Sequence, residues 1–167
     1  PVEAAVAGGQ IIVLEIDDLS LKKVGSFPFK RGVYARLIDM LYGLGVKVVA
    51  MDVLFVDPSF PEEDAKLLDI TARAGHKLVH AMMVDPSIVN QHIFVFPFEK
   101  LQRTAQSIGL VVQPLIDEDG SVRRSPLIVG THRSSEESWL ADAGARPSLG
   151  LAALVEFTGR SARSYVE

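Results

Sequence analysis

Cysteine is absent from the 167 residues. That removes disulfides, thiolate metal sites and a thiol nucleophile together, while fitting cytosol and periplasm equally well. Long hydrophobic runs are missing too. No stretch approaches the roughly 20 uninterrupted apolar residues of a membrane span, and the longest, Val46 to Val56, is broken by Lys47 and Asp52. The opening PVEAAVAGGQ has neither the basic flank nor the apolar block of a signal peptide. Nor is there a basic excess: 17 Lys and Arg against 21 Asp and Glu give a formal charge of -4. Nucleic acid is therefore not an expected partner. The phosphate-cradling GxxxxGK[ST], the nucleophile elbow GxSxG and the zinc-binding HExxH are all lacking. Without repeats, low-complexity tracts or linkers, residues 1–167 read as a single domain with its core over about 11–158.

What is present is apolar material in short pieces. Hydrophobic residues make up 48%, enough for a packed core without staples, and the mean hydropathy of +0.23 also suits a fragment trimmed from a membrane protein. Ile11 to Ile16 is a β-branched run ended by Asp17-Asp18, the pattern of a buried strand. After a loop containing SFPFKR, apolar residues at 33, 34, 37, 38, 41 and 44 mark one helix face, closed by Gly43 and Gly45. Lys47 to Val56 reads as a second strand. Pro61 followed by three carboxylates opens a helix running to about Ala74. Lys77 to Val84 is a third strand, and Phe98 to Gln106 a short helix. Ile108–Val112 and Val122–Val129 flank the turn Asp117-Glu118-Asp119-Gly120 and read as an antiparallel pair. The last helix, Pro147 to Gly159, is apolar nearly all round and is expected to be buried. The order predicts an α/β fold: a mostly parallel central sheet flanked by helices, with a C-terminal antiparallel hairpin.

Few residues carry chemistry. His76 and His80 lie four apart in an expected strand, roughly 13 Å at about 3.3 Å per residue, too far to share a metal. The DEDG turn lacks the glycine and closing glutamate of a calcium loop. No metal or other cofactor is expected. The main constellation is acidic. Asp17, Asp18, Asp52 and Asp57 follow the first two strands and should gather at the carboxyl edge of a parallel sheet, where α/β folds bind ligands. Ser20, Phe27, Phe29 and Arg31 lie beside them and complete the candidate ligand site. Two uses are open. The carboxylates could hold Mg²⁺ for phosphoryl chemistry, with Asp17, Asp18 and Asp52 as the working set. Alternatively they fix loops, Asp17 or Asp18 binding backbone N–H groups of the DDLSL turn. Asp52, flanked by Met51 and Val53, is expected to be buried and therefore to need a cationic partner. Arg31, Arg36, Arg123 and Arg124 are the candidates, and an ion pair of Asp52 with Arg123 or Arg124 is the specific expectation.

Taken in order, these segments resemble the second CHASE family, the cyclase- and histidine-kinase-associated sensory extracellular domains of bacterial receptors. The resemblance rests on a strand, an Asp-Asp-x-Ser-Leu turn, an aromatic-Pro-aromatic loop with arginine, a helix, and a strand ending in Asp-x-x-Phe. Here these fall on Asp17, Asp18, Ser20, Leu21, Phe27, Pro28, Phe29, Arg31, Asp52 and Phe55. Asp64, the helix to Gly75, Gly109, DEDGSVRRSPL and RPSLGLAAL continue it in order, so it spans about Ile11 to Phe157. It implies a non-catalytic extracytoplasmic input domain of a bacterial transmembrane protein, periplasmic or at the cell surface. Membrane helices outside this sequence would tether it and connect it to a cyclase, kinase or similar output module. The implied partner is a small molecule or protein of unspecified identity, with homodimerisation allowed. A Mg²⁺-dependent phosphohydrolase and a purely structural dimerisation domain are the alternatives.

Overall fold

The computed structural model describes residues 6–7, 11–85, 93–111, 115–130 and 144–165. A two-stranded antiparallel ribbon, β1 (Val6–Ala7) and β2 (Ile11–Ile12), comes first. Helices α1 (Asp18–Val24) and α2 (Arg31–Gly43) precede strand β3 (Val49–Met51) and helix α3 (Pro61–Ala74). Strand β4 (Leu78–Val84), strand β5 (Phe94–Val95), helix α4 (Glu99–Thr104) and strand β6 (Ser107–Leu110) follow. The hairpin β7 (Leu115–Ile116) and β8 (Val122–Arg124), strands β9 (Ile128–Val129) and β10 (Arg146–Pro147), and helix α5 (Leu149–Thr158) complete the order.

The sheet is parallel at its centre. β4 lies between β3, with Val49 opposite Leu78, and β6, with His80 opposite Ile108; β5 adds antiparallel to the end of β4. As the middle strand, β4 buries its first five residues, Leu78 to Met82, in keeping with a strand covered on both faces. Helices α2 and α3 pack one side of the core through Tyr34, Ala35, Ile38, Leu67 and Ile70. The 3.6-residue period of the apolar positions in α2 is what delivers Tyr34, Ala35 and Ile38 to one face. On α3, Pro61 opens the first turn and Glu62, Glu63 and Asp64 complement the positive end of the helix.

α5 approaches β6 closely. A Cβ on Gly109 would lie 2.6 Å from the Leu149 Cα and 3.0 Å from the Ala152 Cβ, so only glycine admits the helix at this distance. Ser148 joins the same edge through a parallel bridge to Leu110, and its backbone N–H donates to Leu127 (2.7 Å).

The architecture is the expected mostly parallel α/β arrangement with a late antiparallel hairpin, but five segments differ from their reading, beginning with the second strand, read over Lys47 to Val56 and found only over Val49–Met51. Ile11–Ile16 is not a central strand: only Ile11 and Ile12 pair, with β1, and the run from Ile11 to Ile16 is exposed. The DDLSL segment is a helix rather than a loop. Residues 107–110 join the sheet parallel to β4, and the partner of β8 is Leu115–Ile116, with an irregular register. Finally, α5 fully buries only Leu151 and Ala152 and leaves Leu154 and Phe157 exposed. The segment 131–143 with Trp139 lies outside the described residues.

Candidate functional site

Asp17 caps α1: its Oδ1 accepts from the Ser20 backbone N–H (2.8 Å) and the Ser20 hydroxyl (2.7 Å). That is the side-chain cap expected of Asp just before a helix. The Ser20 hydroxyl, then its N–H, hold the Asp17 carboxyl below the ordinary carboxylate range. Asp18 sits exposed in the first turn of the same helix. These three residues organise a local turn.

Arg31 has a different setting. It is 8% exposed, pairs with the Asp64 carboxylate, and donates to the Asp57 backbone carbonyl. Its guanidinium lies over the rings of Phe98 (4.6 Å to centroid) and Phe55 (5.4 Å), a cation–π arrangement. Asp64 also accepts from the Ser59 N–H at 3.0 Å. Glu63 accepts from the Gly32 N–H (2.6 Å) and from Lys66. Lys66, then the Gly32 N–H, hold its carboxyl low. This network fastens the start of α2 to the start of α3 and to the chain leaving β3. Phe29 packs at 6.1 Å from Tyr34, and Phe27 at 6.1 Å from Phe29 while remaining 54% exposed. The aromatic loop thus seals one end of the core and shows one ring to solvent.

Asp52 does not form the expected ion pair. It is exposed and makes no hydrogen bond or ion pair among the described residues. The physical reason is topological. β3 pairs only with β4 and its pairing stops at Met51, so the residue after it leaves the sheet toward solvent while Met51 turns into the core. Arg123 instead binds Asp119 (2.7 Å) and Asp117 (3.2 Å), and Arg124 binds Asp117. The short hairpin places those acids beside the arginines, with Gly120 at φ 80° making the turn. Arg123, then the Ser121 N–H, lower the Asp119 pKa to about 2. Asp57 is exposed and contributes its carbonyl to Arg31. The four acids therefore do not converge: among the described residues no group of three His, Asp or Glu could hold a metal. His80 is a packing residue, fully buried, with Nε2 3.0 Å from the Thr71 hydroxyl.

What Asp52 does join is a cleft of about 540 Å³ at the carboxyl edge of the sheet. Asp52 comes from the residue after β3, and Leu110 and Val111 from the end of β6 and the residue after it. The strand ends and helix start opposite add Leu127, Ser148, Leu149 and Leu151, and Leu154 and Tyr165 close one side. Parallel strands end together, so this edge collects loops from β3 and β6, and the close seat of α5 on Gly109 sets the wall. The Tyr165 hydroxyl is fixed against the Thr158 hydroxyl at 2.6 Å. Of the residues the sequence nominated, Asp52 alone lines this cleft; Ser148, Leu154 and Tyr165 were not foreseen. Their only sequence signal is Ser148, a helix cap accepting from the Leu151 N–H at 3.2 Å.

The model of one protein family, described as the CHASE2 domain, matches residues 2–165. No curated protein and no solved structure matches the chain.

Proposed function

Because the chain belongs to the CHASE2 family, a sensory extracellular domain family of signalling receptors, we propose that it is the extracytoplasmic input domain of a bacterial transmembrane protein. It controls a cyclase, kinase or similar output module through membrane helices that flank it, and does no bond-making itself. The observation in the fold that supports this reading most is the open carboxyl-edge cleft, where strands β3 and β6 and helix α5 meet around one carboxylate, Asp52. A ligand seated there touches β3, β6 and α5 at once, and would favour whichever arrangement of α5 against the sheet it fits better. That population shift is the signal, passed on through the chain ends. Residues of the Arg31–Asp64 network serve the scaffold in this account, and the Asp17–Ser20 cap serves α1.

Location is testable because the chain has no cysteine. In the full-length protein, with any cysteine elsewhere replaced, Ser161→Cys puts one thiol at an exposed position. A membrane-impermeant maleimide should label it in intact spheroplasts. Labelling only after lysis would reject the reading.

A further inference from the structure

We propose that the carboxyl-edge cleft binds an organic ammonium ion carrying a compact apolar or aromatic body. The inference rests on the sensory reading above and adds the chemistry of the ligand. Three observations carry it. First, the walls are mainly hydrocarbon, from Leu110, Val111, Leu127, Leu149, Leu151 and Leu154. Such a surface favours an apolar ligand body. Second, Asp52 is the one charged side chain among the lining residues, and no cation among the described residues pairs with it. Two arginines close in sequence to lining residues are engaged elsewhere: Arg124 with Asp117, and Arg146 over the Phe96 ring at 5.8 Å. Third, Tyr165 lines the same cleft with its hydroxyl fixed to Thr158, so its ring is a preset aromatic surface. A carboxylate joined to an aromatic ring is a chemistry that selects ammonium groups.

The start of α5 opposes this charge only in part. A helix N-terminus is equivalent to roughly half a positive charge, confined to its first turn, and here the Ser148 hydroxyl already accepts from Leu151 N–H. The full charge of Asp52 outweighs that partial one, which disfavours an anion of the same shape, while a neutral analogue keeps only the apolar contact.

The probes are phenethylammonium, 2-phenylethanol and 3-phenylpropionate, which share a ring and differ in charge. They are titrated into the 167-residue chain at low salt, with backbone amide shifts followed by NMR. Phenethylammonium should bind about fivefold more tightly than the alcohol, a factor in keeping with a partly exposed charge pair, and shift Leu110, Gly150 and Leu151. The propionate should bind most weakly. Asp52→Asn should bring phenethylammonium down to the alcohol's affinity without changing Tm, since Asp52 holds no structural partner. Equal binding of the ammonium and the alcohol, tighter binding of the propionate, an unaffected Asp52→Asn, or silence of all three probes would each overturn the proposal. None of these outcomes bears on the labelling of Ser161→Cys, which tests the sensory reading separately.

Discussion

Lowering the pH from 7 to 4.5 perturbs one buried group more than any other described here. His80 is fully enclosed beneath α3 in the middle of the sheet. The Thr71 hydroxyl gives its single hydrogen to the Leu67 carbonyl (2.7 Å), so the imidazole donates from Nε2 to Thr71 and leaves Nδ1 bare, with no partner. Protonation would put a charged N–H where nothing accepts it. Burial accordingly pushes the His80 pKa from 6.5 down to about 4. The unfolded chain takes up its proton near pH 6.5 and the folded one only near pH 4. Stability is therefore whole above pH 6.5 and falls as pH drops between these values. Linkage over that interval gives a loss of about 2 kcal/mol at pH 4.5 relative to pH 7. The assay is urea unfolding of the wild type and His80→Leu at both pH values. Wild type should lose about 2 kcal/mol more than the variant on acidification. Parallel losses in the two proteins would refute the reasoning, because titrating carboxylates are common to both.

Other perturbations test the scaffold. Asp64→Ala leaves the Arg31 guanidinium buried without its carboxylate and should cost about 3 kcal/mol, read as a urea midpoint shift; a loss below 1 kcal/mol on the same principle would demote the pair. Gly109→Ala forces a methyl against the α5 backbone and should destabilise by about 2 kcal/mol, whereas the neighbouring Gly150→Ala, which meets no atom within 4 Å, should be neutral or stabilising in the same thermal melts. Asp17→Ala removes the cap of α1 and should cost about 1 kcal/mol, seen as faster amide exchange of Ser20 and Leu21; unchanged exchange would mean that the cap is not needed.

Helices α2 and α3 were legible because their signals are local. Apolar spacing in α2 and Pro61 with its trailing carboxylates in α3 each lie within a few turns of chain. β4 was legible because a strand covered on both faces is a continuous apolar run. Pairing partners were less so. Ile11–Ile16 has the composition of a buried strand, yet composition does not say that pairing stops after Ile12. Ile108–Val112 looked like half of a hairpin because a turn follows closely, whereas Ser107–Leu110 joins the parallel sheet. The glycine within that stretch was the overlooked signal: a strand glycine marks the approach of another backbone, here α5. Asp52 was misjudged for a similar reason, since flanking Met51 and Val53 reports burial only if the strand continues. The cleft itself was hidden, as Asp52, Leu110, Ser148 and Tyr165 meet only in three dimensions.

For the proposed function, which attaches the domain to a membrane-bound output module, the most direct measurement is that output in the full-length protein, with Leu154→Trp compared to the wild type. Leu154 is exposed and lines the cleft, so the larger ring fills the site without entering the core. If cleft occupancy sets the signalling state, output should shift at least about fivefold, the lower range of a coupling between sites, with Tm unchanged. Identical output from the well-folded, cleft-filled variant would contradict the proposal that the cleft sets the signal.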